Sequence, residues 1–254
     1  MEQFSLQKKV AVVIGGSKGL GKGIATGLAQ AGATVVLGSR NQLELEQAAA
    51  EIRLKTNADI IGISVNITSI SAIQEFVNEV VKRKGSIDIL VNSAGINIRK
   101  KAVDVTENDW DTVMDIQLKY VFFMNQAVGK YMINEKIKGK IINVASLTSI
   151  LAFKGMVAYC SAKAGIVLMT KALANEWAEY GINVNAIGPG YYETEMTKPL
   201  FSDPRVLESM IGKIPLQRIG MPKDLTGTAI LLASDASAYI TGQVIYVDGG
   251  WLIE

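Results

Sequence analysis

Val10-Ala11-Val12-Val13-Ile14-Gly15-Gly16-Ser17-Lys18-Gly19-Leu20-Gly21 is the stretch that decides the fold. A short, wholly apolar, β-branched run reads as a strand buried on both faces, as in a parallel sheet covered by helices. The glycines that follow let the chain reverse and approach a ligand. Gly15 makes the tight turn, Gly19 lets backbone come close, and Gly21 permits close packing of the helix it opens. The amides and positive dipole end of that helix suit phosphates, so Ser17, Lys18 and Leu20 join the glycines as candidate dinucleotide contacts. The spacing is Gly-x3-Gly-x-Gly rather than Gly-x-Gly-x-x-Gly, and a glycine-rich turn without function is the competing reading.

The same alternation runs to the end of the chain. Strand-like runs are Val10–Ile14, Thr34–Leu37, Ile60–Val65, Ile87–Val91, Lys140–Val144, Asn183–Ile187 and Val244–Val247. Helical patterns lie near 20–31, 41–56, 69–84, 107–134, 157–179 and 222–234. Strand, helix, strand in this rhythm predicts one α/β domain over residues 1–254, a Rossmann-like, doubly wound, seven-stranded parallel sheet with helices on both faces. A length of 254 residues suits one such domain. The segment 190–221, in or beside which stand Pro189, Pro199, Pro204, Pro215 and Pro222, breaks the rhythm and is the expected mobile substrate lid.

Composition removes several function classes. A net charge of +2 without a basic block gives no reason to expect nucleic acid. The single cysteine, Cys160, forbids an internal disulfide and points to a reducing, cytoplasmic setting. The first ten residues carry Glu2, Lys8 and Lys9, and the apolar run after them is short, which fits neither a signal peptide nor a membrane span. There is no histidine, so Ser-His triads, histidine-ligated zinc and histidine proton shuttles are excluded, and no metal site is expected.

What remains points to proton and hydride chemistry. Tyr159 and Lys163 are four residues apart, a spacing that stacks them on one helix face. An ammonium there is expected to pull the phenol down from its usual pKa of about 10, readying it to exchange a proton with an alcohol oxygen. Ser146, just past a strand end, can donate to a developing oxyanion. The alternatives are a serine that caps a turn before Ile150 and an ordinary tyrosine–lysine helix pair. Ser39-Arg40 ends the second strand, where an acid would favour NAD and an arginine accommodates the 2′-phosphate of NADP; with Lys18 nearby, NADP(H) is the expected cofactor. Asn92-Ser93-Ala94-Gly95 follows the fourth strand at its carboxyl end, where open parallel sheets bind ligands.

These pieces, in this order, resemble the short-chain dehydrogenase/reductase family over essentially the whole chain. The matching residues are Gly15, Gly19 and Gly21, Asn92 to Gly95, Ser146, Tyr159 with Lys163, Pro189-Gly190 with Thr194, and Val247 to Gly250. The resemblance implies an oxidoreductase in which Tyr159 is the acid/base, Lys163 lowers its pKa and holds the nicotinamide ribose, and Ser146 binds the reacting oxygen. It places Pro189, Gly190 and Thr194 by the nicotinamide, with Asn66, Ile67, Asn92, Ala94 and Gly95 also lining the cofactor. It implies a homotetramer built from the long helices and last strand. One departure matters: Gln117 stands where the family usually has an asparagine that completes the catalytic group. Two milder ones are Ile14 before the glycine turn, where threonine is common, and Asn66 where aspartate is common.

Within the family the chain is similar to bacterial sugar-acid dehydrogenases, those of gluconate and ketodeoxygluconate. Its substrate residues would then be Ser146, Tyr159, Arg99 and Tyr191, with Arg99 reaching a carboxylate. A solvated basic loop at Arg99-Lys100-Lys101 is the plain alternative. Competing functions are a broad ketone or 3-oxoacyl reductase of the same fold, and a dinucleotide-binding regulator without turnover.

Overall fold

In the computed structural model, residues 2–195 and 197–253 are described; Met1, Met196 and Glu254, the ends of the expected domain and one residue of the expected lid, lie outside them. Strands β1 (Val10–Ile14), β2 (Thr34–Ser39), β3 (Ile60–Ser64), β4 (Ile89–Asn92), β5 (Lys140–Val144), β6 (Asn183–Pro189) and β7 (Val244–Val247) form one sheet. Their order is β3-β2-β1-β4-β5-β6-β7 and all pairings are parallel. Connections run outward from β1 to β3, then return to the other side of β1 at β4. That reversal opens a crevice above the carboxyl ends of β1 and β4.

Alternate residues of each strand feed two cores. Val13, Val35, Leu37 and Val91 meet α1 (Gly19–Gln30), α2 (Gln42–Thr56) and α9 (Thr226–Ala233) through Ile24, Leu28, Leu45, Ile52 and Leu232. Val12, Ile14, Val36 and Leu90 meet α3 (Ile70–Lys84), α5 (Tyr120–Asn134) and α6 (Val157–Trp177) through Phe76, Met124, Val128, Leu173 and Trp177. β1 is buried along its whole length, so its β-branched residues serve both layers.

Local chemistry sets the helix ends. Asn41 caps α2 by accepting from the Glu44 amide, and Ser69 caps α3 through the Ala72 amide. Gly85 ends α3 in the left-handed conformation at φ 80°. The expected single helix over 107–134 is instead α4 (Glu107–Met114), a π-helical turn at Asp115–Lys119, and α5. Such a turn inserts a residue into the helix and re-aims its side chains, which heptad-like periodicity cannot reveal. The proline-bearing segment carries two short helices, α7 (Lys198–Phe201) and α8 (Pro204–Ile211), and is tied back by a parallel bridge between Tyr192 and Gly220. Between Val157 and Tyr180 the chain is long and apolar enough to cross a membrane by composition alone. Here it packs on β5 and β6 and buries Lys163.

Candidate active site

A cleft of about 970 Å³ opens over the sheet reversal. Its floor is Gly15 to Gly21 with Gly95, one wall is Ser39 to Glu44, and the other is Ser146, Tyr159 and Lys163 with Pro189, Gly190 and Thr194. The glycine turn is built as expected. Gly15 has φ 77°, and a Cβ there would sit 2.6 Å from the Ala94 nitrogen. A Cβ on Gly21 would fall 2.2 Å from the Gly15 carbonyl oxygen.

The cleft suits a dinucleotide by its own chemistry. The Lys18 side chain does not cap α1, and the first residues of that helix line the cleft, where free amides suit an anion. The buried Ser39 hydroxyl, at the end of β2, has no hydrogen-bond partner among the described residues. Arg40 is exposed and makes no ion pair among the described residues. Lys18 does: its ammonium lies 3.6 Å from Glu44, a cleft-lining acid of α2. That acid escaped the sequence reading because a glutamate in a helix's first turn is ordinary surface chemistry.

At the catalytic end, β5 delivers Ser146 and α6 delivers Tyr159 and Lys163. The Ser146 oxygen accepts from the Thr148 amide at 3.1 Å, so the serine does cap its turn. It also lines the cleft, and its own proton remains to be donated. Capping the turn through its oxygen is therefore compatible with donation from the same hydroxyl. Lys163 is buried and donates to the Val144 carbonyl at 2.7 Å, with its nitrogen 5.7 Å from the centre of the Tyr159 ring.

The expected pKa of Tyr159 needs correcting. Burial pushes the phenol up to about 12, against smaller lowering effects of the Ser146 hydroxyl and the Arg99 charge. Burial also brings Lys163 down to about 7. The lysine's hydrogen bond goes to a neutral carbonyl, and it makes no ion pair among the described residues. Burial dominates both shifts, disfavouring the charged form of the phenol and of the ammonium alike.

Gln117 sits in the π-helical turn, buried, and donates from Nε2 to the Ile96 carbonyl at 2.5 Å. Its Oε1 is buried in the wall of the cleft without a partner among the described residues. The side chain fits because Gly95 lies under it: a Cβ there would meet the amide at 2.7 Å.

Other expected residues fall elsewhere. Asn92 does not line the cleft; it points into the protein and donates to Asn125 at 2.6 Å and Asn143 at 3.0 Å. Asn125 also donates to Asn143, and Asn143 to Thr170, closing a buried amide network behind the catalytic wall. Asn66 turns its oxygen onto Thr68 at 2.8 Å and leaves the cleft wall to Val65, Ile67 and Thr68. Arg99 and Tyr191 are outside the cleft lining, although the Arg99 charge is close enough to lower both Tyr159 and Tyr191. Tyr191 meets Trp251 at 4.8 Å with the rings tilted by 49°, and meets Phe153 edge-on at 6.1 Å. The members of this aromatic group come from three distant segments, so no local sequence signal marks it. Lys100 is taken by Asp109 at 2.5 Å, so of the basic run only Arg99 and Lys101 are free of ion pairs among the described residues.

The family model described as "Enoyl-(Acyl carrier protein) reductase" matches residues 15–252. The chain belongs to the short-chain dehydrogenase/reductase family. It is thus an oxidoreductase acting on CH–OH groups. It is 41% identical over 252 residues to the 2-dehydro-3-deoxy-D-gluconate 5-dehydrogenase of Escherichia coli K12, covering 99% of this chain and 98% of that one. It is 40% identical over 254 residues to the NAD-dependent glycerol dehydrogenase of Listeria innocua, covering 100% and 97%. The solved gluconate 5-dehydrogenase of Burkholderia cenocepacia J2315, in complex with NADP and tartrate, superposes with a TM-score of 0.95 at 34% identity, covering 100% and 98%.

Proposed function

We propose that this chain interconverts a secondary alcohol and a ketone on a sugar acid, of the gluconate/5-ketogluconate kind, with NADP(H). The observation that carries the reading is the convergence of Ser146, Tyr159 and Lys163 on one wall of a cleft whose opposite end presents Arg40, which makes no ion pair among the described residues. The glycine turn and the α1 amides hold the pyrophosphate, and Ser39 with Arg40 takes the adenosine 2′-phosphate. A nicotinamide bound along Pro189 to Thr194 supplies or accepts the hydride. Ser146 donates to the carbonyl oxygen and holds it toward Tyr159. With its pKa near 12 the phenol stays protonated at ordinary pH, so it enters the reductive direction ready to give its proton to the developing alkoxide. Lys163 holds the ribose hydroxyls and replaces the proton that Tyr159 gives up, a role that a pKa near 7 suits. Gln117 fixes the Ile96 carbonyl beside the site.

The substrate side is the aromatic group Phe153, Tyr191 and Trp251, with Arg99 as the carboxylate contact. Segment 190–221 closes over it as a lid. The protein works as a soluble, cytoplasmic homotetramer, in which the apolar side chains that α6 leaves exposed, Val157 and Leu168, are covered. The test is a rate comparison of NADPH and NADH against 3-keto and 5-keto sugar acids and simple ketones. The reading expects NADPH oxidation with a keto sugar acid, and Arg99→Met to raise the KM for that acid about tenfold while leaving an uncharged ketone unaffected. Preference for uncharged ketones or 3-oxoacyl esters replaces the sugar-acid assignment. Tight NADPH binding without any turnover makes the chain a regulator.

A further inference from the structure

We infer that Tyr246 and Ser149 are positioning residues for Ser146, holding the catalytic serine in place from the edge strand of the sheet. The inference rests on the reading above that Ser146 donates to the reacting oxygen. Ser146 opens a single 3-10 turn, Leu147–Ser149, and its carbonyl receives both hydrogen bonds that Ser149 can make back to it. The Ser149 amide donates at 3.0 Å and the Ser149 hydroxyl at 2.5 Å. With that proton committed, the Ser149 oxygen is the acceptor of its 2.8 Å hydrogen bond to the Tyr246 hydroxyl. Two hydroxyls therefore donate in series, Tyr246 to Ser149 and Ser149 to the carbonyl of Ser146.

The geometry at the far end is equally constrained. Tyr246 of β7 is in register with Gly188 of β6, and its ring lies across that glycine. A Cβ at Gly188 would stand 2.4 Å and 2.5 Å from two ring carbons, so only glycine lets the ring reach Ser149. Neither Tyr246 nor Ser149 lines the cleft. Their effect has to pass through Ser146, whose Oγ travels with its backbone and is further fixed by the Thr148 amide. Catalysis feels such placement strongly: a 1 Å displacement costs about a hundredfold in rate.

The test uses Tyr246→Phe, which keeps the ring over Gly188 and removes only the hydroxyl, with Ser149→Ala, the double variant, and Ser149→Thr as the conservative rescue. Steady-state kcat and KM are measured on the keto substrate that the wild type turns over, with NADPH affinity by fluorescence titration. Each single variant is expected to lose about tenfold in kcat with NADPH affinity unchanged within about twofold, less than a full ångström displacement costs. Acting in series, the two changes together should cost no more than the worse single one, and Ser149→Thr should recover most of the rate. Wild-type kcat in Tyr246→Phe, multiplicative losses in the double variant, or a loss confined to NADPH affinity would each overturn the inference. A wild type with no turnover overturns the functional reading itself, whereas an active wild type with an unaffected Tyr246→Phe overturns only this inference.

Discussion

Replacing Lys163 with methionine should abolish turnover and at the same time stabilise the fold in acid. In the folded chain the Lys163 ammonium gives up its proton at about 7, against an ordinary value of 10.5. Below pH 7 the fold therefore pays to bury a charge whose hydrogen bond goes only to the Val144 carbonyl. Between about pH 7 and 10.5 the unfolded chain carries a proton that the folded chain does not, so stability rises with pH across that window. At about 1.4 kcal/mol per pKa unit, the part of this gain that falls between pH 6 and pH 9 comes to about 2 to 3 kcal/mol. The chain contains no histidine to titrate in that window, and comparison with the variant removes the contributions the two proteins share. The assay is urea unfolding of the cofactor-free wild type and Lys163→Met at pH 6 and pH 9, at one protein concentration. Wild type should gain about 2 to 3 kcal/mol more than the variant, roughly a 1 M difference in midpoint shift. Equal pH slopes in the two proteins would refute the reasoning and show that Lys163 keeps its charge when folded.

Cofactor choice should answer to two charges of opposite sign. Arg40→Ala is expected to weaken NADPH binding about 10- to 100-fold with little effect on NADH, while Glu44→Gln, by freeing Lys18, should tighten NADPH about two- to fivefold; paired titrations check both. The amide network should matter to the fold: Asn143→Leu strips partners from Asn92, Asn125 and Thr170 and should cost about 2 to 4 kcal/mol in urea unfolding.

Much of this was readable in one dimension because the relevant physics is local. Seven apolar, β-branched runs separated by helical patterns leave few ways to bury both faces, and the parallel sheet follows. Glycine spacing and the Tyr159–Lys163 offset are likewise short-range facts. What stayed hidden depends on distant partners. Asn92 looked like a cleft residue because its motif sits at a strand end, yet its amide pairs with Asn125 and Asn143, 33 and 51 residues away. The shift of Tyr159 went the other way because desolvation depends on what packs over the phenol, which spacing does not encode. The Tyr246–Ser149 contact joins residues 97 apart, and nothing near either one announces the other. Gln117 lines the cleft, but the π-helical turn that aims it has no periodic signature.

The central claim is that one phenol passes the proton while hydride moves to or from a dinucleotide in the same cleft. Tyr159→Phe, assayed for NADPH oxidation with the preferred keto substrate and for NADPH affinity, tests it most directly. A fall in kcat of a hundredfold or more with NADPH binding intact is the expected result. Turnover at the wild-type rate in that variant would contradict the account.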